Sequence, residues 1–477
     1  MTPHTAPLRF AYVLLSLLLL SACNGKVITP PTDEHTTLTN TVKFASFNVS
    51  FAHDGDPSEN FEQWVSFMNI PVEQQKVLIQ SWKKGTLDES QNRLAERIIQ
   101  IRNVAAIIQK VRPDVLLLNE FNNDGTGKNT LALTGFQTHY LSVSQSMNSV
   151  DGGDMLEPIH YPYQQSYATN TGLASGMNLT KSATGYDNTN PNNAYGYGVY
   201  HGHYAFALLS KYEIDQNNTR TFQTFKRKDL PHAVNPTINV CDDTKPLPSA
   251  MACGDNWFSD EEWQNLRLSS KNHVDAPIHI PTQSGVKTIH ALLSHPTPPA
   301  FDTFSDNNKY RNSDENLFWL HYISNNDTSV LYDDKGQYGG LGKESFVIMG
   351  DLNADTTWGR TTDERFNGIQ QLMFHPLVNQ KVTRIDGNHF PVSLGAEQEP
   401  NKRNHPHPKI RTATFGSKAD YSVPSADLQV LDSGVYWPAE SESGRLLFND
   451  PRIGQRGTDK EVSSDHRLVW VTLDVSN

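Results

Sequence analysis

Cysteine is scarce in this chain, with three thiols in 477 residues. That number is too small for a disulfide scaffold, and no set has zinc-like spacing. Long apolar runs are missing as well. The one near the start, residues 10–20, is too short to span a bilayer comfortably. Basic charge is in deficit, 40 Lys and Arg against 52 Asp and Glu, a formal net charge of −12. Proteins that hold long nucleic acids through many phosphate contacts usually carry a basic face, and this balance leans the other way without excluding such a partner. No internal repeat is visible, which argues against a solenoid. Hydrophobic residues make up 37% of the chain, ample for a sizeable core.

The apolar run follows Arg9 and ends in Leu20-Ser21-Ala22-Cys23. Small residues before the cut and a cysteine after it resemble a bacterial lipobox, with residues 1–22 as signal peptide and Cys23 lipidated. An ordinary secretory signal with an incidental Cys23 is the plainer reading. Asn24 after the cysteine favours an outer-membrane or cell-surface lipoprotein, facing the periplasm or the medium, held by its lipid alone. Residues 23–39 are polar, contain Pro30 and Pro31, and read as a tether. Cys241 and Cys253 lie in one polar stretch, and an exported compartment permits a disulfide that staples that loop.

No second linker interrupts residues 40–477, which read as one domain with long insertions. A strand is expected over residues 42–49. Leu94, Ile98, Ile101, Ala105, Ile108 and Val111 recur at helical steps, so a helix is expected over residues 91–111 and stops before Pro113. Val115 to Leu118 is continuously apolar, as in a strand buried on both faces. The pattern repeats with a helix around residues 314–323 and a strand at 346–349. Short β-like runs occupy residues 204–209, 288–293, 426–431 and 468–473. Strands outnumber helices, and two sheets packed together with helices outside is the natural arrangement.

The buried strands end in acids and amides. Asn119-Glu120 follows Leu118, Gly350-Asp351-Leu352-Asn353 follows Met349, and Ser464-Asp465-His466 precedes the last strand. Rigid strands can gather such groups while loops leave access. In an extended segment Asp351 and Asn353 project to the same side, one acid to handle water and one amide to donate a hydrogen bond. Each signal alone reads equally well as a turn or helix cap.

Together and in this order they resemble the endonuclease/exonuclease/phosphatase superfamily. The resemblance runs through Phe44-Ala45-Ser46-Phe47-Asn48, Arg112-Pro113-Asp114-Val115 to Glu120, Gly350-Asp351-Leu352-Asn353, Lys418-Ala419-Asp420-Tyr421 and Ser464-Asp465-His466. It implies a four-layer α/β/β/α sandwich of the deoxyribonuclease-like kind and a divalent-metal-dependent phosphoesterase. Magnesium or manganese would be held by Glu120, with Asn48 beside it and Asp465 near or on the ion. Asp351 would align or deprotonate water, and Asn353 would hold a phosphoryl oxygen. His466 would bind the phosphate, oriented by Asp420, with His295 as the second histidine. The expected partner is a phosphoester, whether a small phosphodiester, nucleic acid, lipid head group or sugar phosphate, acted on by a monomer. The acidic balance favours a small or short one.

Two departures stand out. The family's Asn-x-His element reads Ser294-His295-Pro296 here, and His201 and His203 stand in a strand-entry segment where less basic residues are expected. The two histidines have a metal-ligand spacing, although loop histidines are commoner. Arg267, Ser270 and Lys271 form a basic, hydroxylic patch suited to a second phosphate or the leaving group, or else a solvated strand edge. Asp54 and Asp56 do not fit a calcium loop. Tyr436 and Trp437 could stack on a base, but buried strand-end aromatics are the default. The retained acids argue against an inert surface binding module on the same fold and against a purely structural envelope lipoprotein.

Overall fold

The computed structural model describes residues 38–52, 60–242, 246–248, 250–324, 328–401 and 403–476. The signal peptide, Cys23, most of the tether, and the pair Asp54 and Asp56 lie outside the described residues. Twelve strands among the described residues form two sheets. The first contains β1 (Thr41–Asn48), β2 (Val115–Asn119), β3 (Tyr163–Ser166), β4 (Phe206–Ser210), β11 (Gln429–Val435) and β12 (Val469–Asp474), in the order β11-β12-β1-β2-β4-β3. The second contains β5 (Glu213–Ile214), β6 (Arg220–Thr221), β7 (His273–Thr282), β8 (Gly285–Ser294), β9 (Phe346–Asp351) and β10 (Asp420–Pro424). Its order is β10-β9-β8-β7-β5, with β6 also on β7.

Two pairs are parallel, β1 with β2 and β8 with β9, and each needs a crossover. The first crossover carries α1 (Phe61–Met68), α2 (Val72–Lys83) and α3 (Glu89–Val111). Asp88 caps α3 by accepting from the Gln91 amide at 2.8 Å, so the helix begins at Glu89, two residues before the expected start. It ends at Arg112, in the left-handed region, with Pro113 next. Short helices α4 (Leu131–Phe136) and α5 (Asp260–Asn265) sit in later insertions, and α6 (Asn307–Ser324) is the second crossover.

Alternation along the strands builds the layers. Val42 and Phe44 of β1, Val115 and Leu117 of β2, and Phe206 and Leu208 of β4 join β7, β8 and β9 in one core between the sheets. Their neighbours Ala45, Phe47, Leu116, Leu118, Ala207 and Leu209 pack instead with Ile98, Ile101, Ala105 and Ile108 of α3. Burying each such leucine fully is worth about 1.5–3 kcal/mol. Phe318, Trp319, Tyr322 and Ile323 of α6 join the core on the second sheet. The result is the helix–sheet–sheet–helix sandwich.

The sequence reading missed the short strands β3, β5 and β6 as well as β7 and β10. Val274, Ala276, Ile278 and Ile280 alternate along β7, but Pro277 and Pro281 interrupt the run. The strand expected over residues 426–431 lies later, at β11, where the register shifts between Val430 and Asp432. The Cys241–Cys253 disulfide closes its loop in the insertion before α5.

Candidate active site

The chain enters β1 at Thr41 and leaves it at Asn48, and the polar strand ends meet at this far end. Asn48 is fully buried. By alternation its side chain lies on the inter-sheet face with Phe44 and Ser46, and its Nδ2 donates to Glu120 Oε1 and to Asp351 Oδ2, each at 3.0 Å. One amide thus links a carboxylate of the first sheet to a carboxylate of the second. Its Oδ1 accepts from the Ser50 amide at 3.0 Å, so in this arrangement Asn48 bridges the acids as a donor. The Asp351 amide donates to Asn119 Oδ1 at 3.1 Å, a second tie between the sheets.

Three of the loops turn sharply as they leave their strands. Ser50, Glu120 and Asn353 all have left-handed backbones, with φ of 51°, 57° and 51°. Such conformations cost non-glycine residues about 1–3 kcal/mol each. The turn at Asn353 corrects the expectation of an extended Asp351-Leu352-Asn353. β9 stops at Asp351, and the Asn353 amide folds back to donate to Asp351 Oδ1 at 3.0 Å. Asn353 Nδ2 donates to the Pro296 carbonyl at 3.1 Å. Gly350 is needed for a different reason. A Cβ there would lie 2.2 Å from the Ser294 carbonyl oxygen, so only glycine lets β9 approach β8 this closely.

On the other side of Asp351 lies an imidazole–carboxylate pair. Asp420 and Asp351 are direct partners across β10 and β9. His466 Nδ1 is 2.9 Å from Asp420 Oδ2, and His466 Nε2 is 3.7 Å from Asp351 Oδ2. Thr412 donates to the same Asp420 oxygen at 2.7 Å. His295 Nε2 approaches Asp351 Oδ2 at 3.4 Å. The Ser464-Asp465-His466 segment is fixed by its own Ser464 and by Ser50, which sequence reasoning did not single out. Ser464 donates to the Asn48 carbonyl, and Ser50 donates to Asp465 Oδ1, both at 2.6 Å. From α3, Gln100 donates to the carbonyls of Ser50 and Ser463.

The electrostatics separate these groups. Burial pushes the Asp351 carboxyl up, but the His466 charge, His295 and Asn48 outweigh it and hold the group well below the usual carboxylate range. Burial pulls His466 down, yet Asp420 and Asp351 together raise it well above an ordinary histidine. His295 is pushed down to about 4, by burial first and then by the nearby Lys271 ammonium. Burial raises Asp420 to about 6 against the pull of His466. Glu120 is pushed up to about 7 by burial and by the negative charge of Asp465, with Asp351 adding to it. At neutral pH the site therefore has an ionised Asp351, a protonated His466 and a neutral His295.

Of the basic patch, Ser270 and Lys271 are buried, which corrects the solvated-edge alternative for those two. Ser270 Oγ donates to the His295 carbonyl at 3.3 Å. Burial lowers Lys271, while the negative charges of Glu315, Asp351 and Glu120 act to raise it. Arg267 is turned away, bonded to Asn170 at 2.7 Å and stacked on Tyr195. His203 is buried against Tyr200 and Tyr204, and His201 Nε2 is 3.0 Å from the Thr169 carbonyl, so neither joins the cluster. Trp437 is buried under the Arg467 guanidinium, and Tyr436 packs on Phe448. An aromatic that was overlooked does reach the site. Phe415, half-buried, meets the His466 ring edge-on with ring centres 5.3 Å apart.

The family model described as Endonuclease/Exonuclease/phosphatase family matches residues 45–466, from β1 to His466 itself. The chain belongs to the endonuclease/exonuclease/phosphatase family. Members of this family are hydrolases of phosphoester bonds. Among solved structures, it is similar to an endonuclease/exonuclease/phosphatase from Beutenbergia cavernae, with a TM-score of 0.41 and 12% identity over 91% of this chain and 72% of that one. A mannosyl-6-phosphatase from Bacteroides thetaiotaomicron is similar at a TM-score of 0.38 and 10% identity, covering 91% of this chain and 99% of that one. The human Nocturnin catalytic domain is similar at 0.35 and 11%, covering 91% and 95%. At such low scores the family assignment rests on the matched model alone. No curated protein matches the chain.

Divalent metals are general in the family, and the donor set here fits a hard cation. One ligand atom each from Glu120, His295 and Asp351 lie within 4.8 Å of one another, and a second group, Asp351, Asp420 and His466, shares Asp351. The acid crowding that raises Glu120 points the same way, because a cation between these carboxylates removes their mutual repulsion.

Proposed function

We propose that this protein is a divalent-cation-dependent phosphoesterase in which Asp351 directs water onto phosphorus. The observation that carries the reading is the Asp351 carboxylate held between the donor Asn48 and the His466–Asp420 pair. Glu120 would hold magnesium or manganese, with Asp465 and Asn48 beside it, and the cation would offset negative charge on the phosphoryl oxygens as the ester bond breaks. Asp351 orients the attacking water and takes its proton, which requires the ionised form that His466, His295 and Asn48 maintain. His466, protonated and fixed by Asp420, presents Nε2–H to a phosphoryl oxygen. Asn353 and the Lys271 ammonium supply further donors, and neutral His295 stands beside the water-directing acid. Arg267 braces the loop carrying Ser270 and Lys271. Water is the nucleophile in this reading, and hydrolysis proceeds without a covalent intermediate.

The segment Leu20-Ser21-Ala22-Cys23 supports export and anchoring through a lipidated Cys23 at the cell envelope. The domain enters β1 at the end away from the site, so a protein beginning at Leu38 retains every site residue. That protein is expected to cleave bis-para-nitrophenyl phosphate or para-nitrophenyl phosphate with magnesium or manganese and to stop when chelator is added. Turnover unaffected by chelator would contradict the reading. The preferred ester separates a phosphodiesterase from a phosphatase.

Asp420→Asn gives a pH test. Asp420 is the strongest of the influences that raise His466, and the imidazolium is the active form. A raised histidine stays protonated up to its folded pKa, and activity is lost as pH rises through it. Removing Asp420 should therefore move the alkaline limb of kcat down by about 1–2 pH units. An unmoved limb would mean that His466 does not titrate in catalysis.

A further inference from the structure

We infer that Asn312 and Glu315 of α6 form a clamp that sets the relative positions of His295, Lys271 and the Asp351–Asn353 turn. The inference rests on the reading of this cluster as a phosphoesterase site. Asn312, Glu315, Asn316 and Trp319 occupy helical positions i, i+3, i+4 and i+7, the stripe that a helix covering a sheet ordinarily makes apolar. Here three of the four are polar, and all four are almost fully buried. Buried polar groups are costly unless hydrogen-bonded, so the destination of their bonds shows what they do.

The bonds go to main chain beside the site residues. Glu315 Oε1 accepts from the Ser270 amide and Oε2 from the Thr297 amide, both at 2.6 Å. Ser270 immediately precedes Lys271, and Thr297 lies two residues past His295. Asn312 Nδ2 donates to the Thr297 carbonyl at 2.9 Å and to the Leu352 carbonyl at 3.0 Å, between Asp351 and Asn353. Trp319 Nε1 donates to Ser294 Oγ at 2.9 Å, directly before His295. Both main-chain groups of Thr297 are thus held by one helix. Asn316 Nδ2 steadies the clamp by donating to the Asn312 carbonyl at 2.8 Å.

Three segments distant in sequence, ending β8, entering β7 and ending β9, are tied to one rigid rod. Neither Asn312 nor Glu315 needs to touch substrate, so both are positioning residues. A displacement of about 1 Å in a reacting group can cost about 10²-fold in rate. Glu120, Asn48 and Asp465, by contrast, receive none of these bonds from α6.

The test is Glu315→Gln, which keeps the shape but turns an amide donor toward a main-chain N–H. The expected result is a fall in kcat of about 30- to 100-fold, with KM within about threefold of wild type. If that variant does not fold, Asn312→Ala, which removes the Nδ2 donor and with it the Oδ1 that accepts from Asn316 at 3.3 Å, carries the same comparison. A folded variant with kcat within about threefold of wild type, or a loss expressed wholly in KM, would overturn the clamp. Wild-type protein inert on every phosphoester would instead overturn the function. The clamp would then be read from hydrogen exchange, where Glu315→Gln should speed the Ser270 and Thr297 amides about tenfold or more. Unchanged exchange would contradict it.

Discussion

Asp351→Asn should reduce kcat on either nitrophenyl ester by on the order of 10³-fold or more and also lower the melting temperature at neutral pH, because a carboxyl held ionised by its neighbours stabilises the fold there. A positioned general base contributes about 10²–10⁴-fold, and here the same group also orients the water. The substitution preserves size, and the Asn353 amide can still find an acceptor at position 351. What it removes is the charge that His466 and His295 are arranged around. The carboxamide must also point an N–H toward Asn48 Nδ2 or toward His295 Nε2, both of which now approach an oxygen. Steady-state kinetics beside a thermal melt measure the two parts separately. A variant retaining a tenth of wild-type kcat would assign water activation elsewhere.

Glu120→Gln should abolish most cation-stimulated turnover, raising the cation concentration for half activity by about 10²-fold or more. Changing groups that merely orient a metal ligand costs about 10–100-fold in affinity, so removing a charged ligand sets a larger loss. The same variant should stabilise the cation-free domain near neutral pH. In the folded protein Glu120 moves from 4.5 to about 7, because burial and then Asp465 oppose its charge. A carboxyl raised on folding binds more protons in the native state, so its contribution to stability falls as pH rises from about 4.5 toward 7. An amide does not titrate and escapes that loss. Cation titration of activity and melting temperature against pH would register the two opposite effects. Unchanged cation dependence would remove Glu120 from the metal site, and the loss of its charge without any gain in stability would contradict the crowding seen around it.

These expectations depend on positions that the sequence marked clearly. Apolar strands ending in polar residues located Asn48, Glu120, Asp351 and His466, because a strand buried on both faces leaves only its ends free for such groups. The helical period of α3 was legible for the same reason, since its core-facing stripe is uniformly aliphatic. The first half of α6 was not legible because its buried stripe is polar and bonded to main chain, which hydrophobic periodicity cannot register. β10 escaped because Asp420–Pro424 is short and ends in proline, although it is the strand that sets Asp420 opposite Asp351. Ser50 gave no signal and Ser464 showed only as part of its motif, since isolated hydroxyls acquire their role only when β1 and the last loop meet in space. Phe415 lies in a segment without periodicity. The Ala413–His466 bridge and the bond from the Thr414 amide to the Asp465 carbonyl, at 2.9 Å, bring it to His466.

The most direct measurement is a single turnover of a nitrophenyl phosphoester in water enriched in heavy oxygen, followed by mass analysis of the phosphate product and of the protein. Direct attack by water aligned on Asp351 predicts one heavy oxygen in the phosphate product of that first turnover and an unmodified protein. Phosphate free of label, or protein carrying a phosphoryl group, would contradict the account.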